Sequence, residues 1–386
     1  MLRVGFSFEM TGAWIGGINY FRSLIGAIVA LPDRSIEPVV FCAARDVEKL
    51  AQEFPGVEIV PTALLRRKSP IWWVRRLLER VSGREYLLER LFRQHKIDVL
   101  SHSGTLGAGA SISAIGWIAD LQHRRLPELC SAAESAVRDA VIERWRRECV
   151  ALIFSSQSAR RDFGRFYGAA GIPVFVVPFV PLTKPVAPQE ALHAIAHYKL
   201  PRRYFYVPNQ FWAHKNHRLV IEAARLLQAR GTLVNVVFTG GVQDYRNPRH
   251  YAELVELAAP IAGSTWFLGV VPYADVLALM EGALAVINPS RFEGWSTTVE
   301  ESRNLGKSIL LSDIDVHREQ APPRAVYFDP NQAEDLAEKM HAAWNEDDTC
   351  REQVLRQSST PDVQALRRAF GAAFQQAVHS AVRGGA

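Results

Sequence analysis

Short apolar runs alternate along this chain with longer stretches in which apolar residues return every three or four positions. Arg3–Phe8, Glu37–Cys42, Val57–Val60 and Ile97–His102 are rich in β-branched and aromatic residues and short enough to be strands. Between them the spacing is helical, as over Asn19–Leu31. Further strands are expected up to Ala119, over Cys149–Ser155 and over Pro173–Val180. Pro181-Leu-Thr-Lys-Pro-Val-Ala-Pro188 has no period and reads as a linker. A second series then begins at Tyr204 and continues with Val234–Gly241, Thr265–Gly269, Gly282–Ile287 and Phe328–Asn331. An alanine-rich helix from about Pro361 to Val382 closes the chain. Strands alternating with helices predict α/β architecture with doubly wound parallel sheets. Two such series predict two domains, 1–186 and 187–360, with 361–386 as a terminal helical segment. Sheets of this kind bind ligands beyond the carboxyl ends of their strands, so the chemistry should lie in the strand-end loops.

Asn288-Pro-Ser-Arg-Phe-Glu-Gly-Trp-Ser-Thr-Thr-Val-Glu-Glu-Ser302 is the most informative of these loops. The apolar run before it stops at Asn288-Pro289, a turn carries Glu293 and Gly294, and Ser296, Thr297 or Thr298 can cap a helix starting near Val299. Strand, glycine turn and helix N-terminus make an anion site, because free N–H groups point outward and the helix dipole favours negative charge. Glu293 and Glu301 lie eight positions apart, one on the turn and one in the helix. A carboxylate beside a phosphate cradle repels phosphate but accepts hydrogen bonds from sugar or ribose hydroxyls. The spacing alone fits equally a capped surface helix with two solvated glutamates.

Three other strand ends carry candidate chemistry. Gly16 and Gly17, after the first strand, let a backbone approach a ligand closely, although a plain strand–helix turn has the same look. Asp120 and His123 follow the strand that ends at Ala119; a loop histidine can bind a hydroxyl or shuttle a proton, or it can be a surface residue beside Arg124 and Arg125. Lys215, on the loop after the strand from Tyr204, can neutralise a leaving diphosphate or simply be solvated.

Glu293-Gly-Trp-Ser-Thr-Thr-Val-Glu-Glu301 resembles the E-x7-E motif of retaining glycosyltransferases of family 4, which have the GT-B fold of two Rossmann-like doubly wound domains facing across a cleft. Leu305–Glu319 is similar to the helix end and next strand of that family. The resemblance is strongest from Tyr204 to Pro330. It implies that Glu293 lies by the donor sugar and that Glu301 binds the donor ribose. It places Gly16 and Gly17 over the donor phosphates and the acceptor; Gly294, Trp295, Ser296 and Thr297, on the turn and helix start, and Gly240, at a strand end, are the further donor-site candidates. Asp120 and His123, in a stretch similar to the family's Asp/His loop, would lie near the reacting sugar. Lys215 matches the pyrophosphate-binding lysine, and Val271 would meet the nucleotide base through its backbone. Asn209 and Gln210 stand where the family has a Gly-Arg pair, which leaves the second cation to His214, His217 or Arg291 if it is present at all. The terminal helix would cross back onto the first domain.

Composition narrows the function. Cys42, Cys130, Cys149 and Cys350 form no CxxC pair, which argues against structural zinc and a disulfide framework and fits a reducing cytoplasm. The N-terminus reads as a strand rather than a signal peptide, and no apolar run approaches a membrane span. No metal pair stands out and no cofactor is expected; the nucleotide-sugar donor is a substrate. The net charge of +5 is uneven: Leu64–Lys96 holds ten Lys/Arg against three Glu, a net +7, so the other residues together net −2. Ile71-Trp-Trp-Val74 beside Arg75 and Arg76, with Leu77, Leu78 and Val81, has the make-up of a helix lying on an anionic membrane; the same Trp72, Trp73 and Leu77 could instead pack on the first domain. The expected protein is a metal-independent retaining hexosyltransferase (mannose, rhamnose or glucose type) acting on a glycan or lipid-linked acceptor in cell-surface polysaccharide assembly. It would be cytoplasmic and peripheral to the membrane's inner face. A non-catalytic nucleotide-sugar or glycan-binding protein is the alternative. The full set of Glu293, Glu301, Lys215 and His123 favours the enzyme, and no nucleic-acid motif accompanies the basic segment.

Overall fold

The computed structural model describes residues 1–8, 15–346 and 361–383, with side chains omitted at 15–17. Cys350 and the loop residues 10–14 ahead of Gly16 lie outside the described residues. The chain forms two compact units. One comprises Met1–Leu121, Ala132–Leu182 and Gln364–Ala386; the other comprises Gln122–Ser131 and Thr183–Val363.

The first unit is built on seven parallel strands: β1 (Leu2–Phe8), β2 (Ile36–Cys42), β3 (Glu58–Pro61), β4 (Val99–Ser101), β5 (Ser113–Ile118), β6 (Ala151–Phe154) and β7 (Val174–Val176). Their order is β3-β2-β1-β4-β5-β6-β7. Chain order reverses direction between β1 and β4, which creates the crevice where such sheets take ligands. β7 covers only the start of the run expected over Pro173–Val180; beyond Val176 the chain is already irregular. The first helix, Ile15–Val29, starts ahead of the expected Asn19, so Gly16 and Gly17 lie in its first turn. The terminal helix Val363–Arg383 packs against it. A Cβ at Gly371 would come within 2.8 Å of the Ala27 carbonyl oxygen, so glycine sets how closely these helices approach. Ser35 and its backbone N–H bond His379 and Gln375 at the same contact.

The second unit has six parallel strands: β8 (Phe205–Pro208), β9 (Val236–Thr239), β10 (Thr265–Phe267), β11 (Ala285–Asn288), β12 (Ile309–Ser312) and β13 (Ala325–Phe328). Their order is β10-β9-β8-β11-β12-β13, with the reversal between β8 and β11. Phe205 and Val207 face one buried cluster, and Tyr204 and Tyr206 face another. A parallel sheet covered on both faces needs such continuous apolar strands, which is why they read as unbroken runs. β13 ends at Phe328, where the last strand was expected to begin; Asp329 instead accepts from the Asn331 N–H and turns the chain. No helix among the described residues is long and apolar enough to cross a membrane.

Candidate active site at the switch point of the second sheet

The reversal between β8 and β11 brings Asn209 and Asn288 together, both buried, with Asn209 Nδ2 3.5 Å from Asn288 Oδ1. Asn288 Nδ2 donates to Ser296 Oγ at 2.7 Å. Ser296 in turn accepts from the Val299 N–H and caps the helix Thr297–Asn304. The helix therefore starts two residues before the expected Val299, and the cap is Ser296 alone. The first-turn N–H groups of Thr297 and Thr298 have no carbonyl behind them in the helix and end at the crevice. Thr297 is exposed, and Gly294 and Trp295 are half-buried on the preceding turn.

Lys215 comes from the turn Ala213–Lys215 after β8, which two bonds stitch to the β11 loop. The Arg291 N–H donates to the His214 carbonyl at 2.8 Å, and Asn216 Nδ2 donates to the Pro289 carbonyl at 3.1 Å. Asn216 adopts the left-handed φ of 58° that this tight exit requires. Lys215 Nζ is thereby set 2.7 and 2.9 Å from the two carboxylate oxygens of Glu293. The side chains are 16% and 9% exposed, so the pair is largely shielded from water. Burial pushes the Glu293 carboxyl up, but the Lys215 charge outweighs it and holds the group below the usual carboxylate range. Ser290 Oγ lies 2.7 Å from Glu293 Oε1 and 2.8 Å from Asn288 Oδ1 and can donate to either.

Glu301 is buried within the helix, and the Tyr273 hydroxyl donates to it at 2.8 Å. Burial dominates here and pushes its pKa up to about 7, with Tyr273 acting in the opposite sense. Val271 sits half-buried two residues before Tyr273 on the loop after β10. Gly240 ends β9 with φ of 144°, and a Cβ there would fall 2.2 Å from the Asn209 carbonyl oxygen. The floor of the site thus depends on two loop backbones in direct contact. Gln210 is half-buried beside Asn209.

His123 is buried in the short helix Gln122–Arg125, which belongs to the second unit, whereas Asp120, Gly16 and Gly17 belong to the first. The His123 helix is tied to the lysine loop through Arg246. That guanidinium donates to Gln122 Oε1 at 3.1 Å and to Asp244 Oδ1 at 3.0 Å, and Asp244 Oδ2 accepts from the Ala213 N–H. Arg246, Tyr273 and Gln320 were not legible as site residues. Gln320 bridges Ser296 and Glu300 from the helix after β12, a register that strand-end motifs do not reveal.

The histidines offered as replacements for the second cation do not serve. Burial, reinforced by the Lys215 charge, pushes both His214 and His217 down to about 3. Both imidazoles are neutral at pH 7, and His217 instead stacks on Phe211 and pairs with the Asn209 carbonyl. Arg291 is 43% exposed and faces Glu128 at 3.7 Å.

The first unit has a polar site at its own switch point. A cavity of about 410 Å³ is lined by Ser7 at the end of β1, by His102 and Ser103 after β4, and by Arg75, Glu85 and Arg144. His102 carries a left-handed φ of 60° and lies among Tyr20, Phe21 and Trp117, whose packing keeps its imidazole neutral. In the sequence His102 is the last residue of the expected strand Ile97–His102, and the polar run Ser101–Gly104 is its one local signal.

Residues 189–356 match the family model of glycosyl transferases group 1. No curated protein matches the chain. Among solved structures it is similar to a glycosyltransferase from Rickettsia africae, with 11% identity over 99% of this chain and 98% of that one and a TM-score of 0.70. It is also similar to HepE from Anabaena, solved with UDP and glucose, with 15% identity over 98% of both chains and a TM-score of 0.68. Sucrose-phosphate synthase from Thermosynechococcus elongatus matches with 14% identity over 98% and 99%, again at a TM-score of 0.68. The fold is GT-B, with two Rossmann-like parallel-sheet domains.

Proposed function

We propose that the protein is a retaining, metal-independent glycosyltransferase of the family 4 type, moving a hexosyl group of the mannose, rhamnose or glucose kind from a nucleotide sugar to a glycan or lipid-linked acceptor. The observation that carries this reading is the shielded Lys215–Glu293 pair beside the Ser296-capped helix N-terminus. Charge and hydroxyl recognition are adjacent there and satisfied by each other. A donor diphosphate draws Lys215 and the helix N–H groups, and Glu293 is then open to the sugar hydroxyls. The bond from the anomeric carbon to the diphosphate breaks with its electron pair on phosphate, stabilised by Lys215 and the helix dipole. The acceptor oxygen bonds the same carbon on the same face, and its proton passes to the leaving phosphate oxygen. Glu301 accepts from the ribose, and Asn209, Gln210, Gly240 and Val271 shape the nucleotide side. His123, on the helix tied to the lysine loop, takes a sugar hydroxyl. Support for a nucleotide-sugar donor comes from the match over 189–356 and from the similarity to HepE with UDP and glucose. The polar cavity at the first sheet's switch point suits a hydroxyl-bearing acceptor. In this reading the enzyme is cytoplasmic and serves cell-surface polysaccharide assembly.

Asn209-Gln210 in place of a cation, with both nearby histidines neutral, is the one observation that favours non-catalytic nucleotide-sugar binding. A thermal-shift panel of nucleotide sugars followed by a transfer assay in EDTA separates the two. A ligand at about a hundred times its dissociation constant stabilises by about 2.7 kcal/mol. Stabilisation with chelator-resistant transfer is expected. Stabilisation without turnover selects the binding protein, and activity restored only by magnesium or manganese shows that a metal is needed.

A further inference from the structure

The basic segment Leu64–Lys96 folds as two helices, Pro70–Ser82 and Tyr86–Gln94, and the first of them is turned with its apolar side to solvent. Ser69 caps it by accepting from the Trp72 N–H, and Gly83, with φ of 71°, ends it. Ile71, Trp73, Val74, Leu77, Leu78 and Val81 are all exposed, Leu77 at 62% and Val81 at 80%. At 100° per residue these six fall within an arc of roughly 160°, a continuous stripe. The opposite face carries half-buried Trp72 together with inward-turned charge. Arg75 is 4% exposed and sits 3.3 Å from Glu85, and Glu79 pairs with Arg144 at 3.0 Å and with Arg76. A helix packed only for its own unit does the reverse, hiding the apolar stripe and solvating the charges. Of Trp72, Trp73 and Leu77, which could all have packed on the first domain, only Trp72 is half-buried; Trp73 and Leu77 are exposed.

The charges are sorted by the same folding. All three glutamates of the segment are turned inward: Glu85 to Arg75, Glu79 to Arg144, and Glu89 to Arg84 and Ser111. Arg66, Arg67, Lys68, Arg76, Arg80, Arg90, Arg93 and Lys96 remain exposed. The segment therefore presents an apolar stripe and eight positive side chains, with no exposed carboxylate among them. On the helix, Arg80 and Arg76 flank the Trp73 edge of the stripe. An aromatic and leucine face bordered by cations matches the layering of a bilayer interface, where apolar side chains enter the acyl boundary and Lys/Arg meet anionic headgroups. A protein partner with an apolar groove would satisfy the stripe but not the exposed cations Arg76 and Arg80 along its edge.

We propose that the helix Pro70–Ser82, with the basic side chains around it, docks the first unit onto an anionic lipid surface. This rests on the first unit alone and is scored without measuring activity, so it stands or falls apart from the reading of the donor site. The test is flotation of the full chain with phosphatidylglycerol–phosphatidylcholine vesicles and with pure phosphatidylcholine, at low and high salt. Binding is expected to the anionic vesicles at low salt, to weaken with salt, and to be slight on the neutral ones. Each Lys/Arg near an anionic leaflet contributes about fivefold, so Arg67→Gln/Arg80→Gln should weaken partitioning by roughly 25-fold. Leu77→Ser/Val81→Ser should weaken it by about tenfold or more, with unchanged circular dichroism because both positions are exposed. Failure of the wild type to float with anionic vesicles at low salt overturns the proposal, as does equal flotation of Leu77→Ser/Val81→Ser. A dimer in sedimentation velocity that the serine variant dissociates, without vesicle binding, assigns the stripe to a second copy instead.

Discussion

Glu301→Gln should make the protein more stable and bind its donor less well, and the two effects have one cause. Burial pushes the Glu301 carboxyl up to about 7, well above its unfolded value. A group whose pKa is raised on folding contributes stability that is complete below the unfolded pKa and is lost as pH rises through the folded one. The wild type therefore carries a penalty above pH 7 that the neutral glutamine does not. The shift is worth up to about 3 kcal/mol at pH 8 and fades towards pH 4. Tyr273 can donate to the glutamine oxygen as it does to Glu301, so the substitution keeps the local bond. Donor binding has the opposite preference. Ribose hydroxyls donate to the carboxylate, so the ionised form binds and protonation competes with the ligand. With a pKa of about 7, wild-type affinity should fall about tenfold from pH 8 to pH 6. The variant should bind about tenfold or more weakly than wild type at pH 8 and lose most of the pH dependence. Calorimetric titration with a nucleotide sugar, whose phosphodiesters do not titrate in this window, and urea unfolding across the same pH series measure both. Wild-type affinity at pH 8 in the variant, or a pH-independent wild type, would refute the assignment of Glu301 to the ribose.

Lys215→Ala should lower turnover by about 10²-fold or more, since it removes the cation at the leaving group. It should also destabilise by about 3 kcal/mol by leaving Glu293 shielded without its partner. Lys215→Ala/Glu293→Gln should recover stability in urea unfolding but not turnover, and recovery of neither would mean that the pair is not what holds these loops. Gly240→Ala puts a Cβ 2.2 Å from the Asn209 carbonyl oxygen, so one strand end must move. A cost of about 2 kcal/mol in unfolding and a clear loss of nucleotide affinity are expected, and unchanged affinity would show that the floor formed by Asn209 and Gly240 does not touch the ligand.

Two parallel sheets, their strand ends and the capped turn around Glu293 were all legible along the chain, because they rest on local patterns. Strands buried on both faces need unbroken apolar runs, and a helix start needs a capping side chain such as Ser296 within a few residues of its first turn. The resemblance over Glu293–Glu301 and Lys215 suggests roles that spacing does not. What the sequence could not hold is which residues meet across long separations and which way a face turns. Lys215 and Glu293 lie 78 positions apart and become partners only because β8 and β11 are neighbours in the sheet. His214 and His217 looked like spare cations until packing removed water and made them neutral. The helix Pro70–Ser82 is amphipathic in sequence, but periodicity does not say which side faces the core. Only the tertiary structure decided that, by drawing Arg75 and Glu79 inward to Glu85 and Arg144 and leaving Leu77 and Val81 in solvent. Such choices depend on the free energy of the whole assembled unit, to which a buried ion pair and an exposed stripe contribute together, and no local stretch carries that sum.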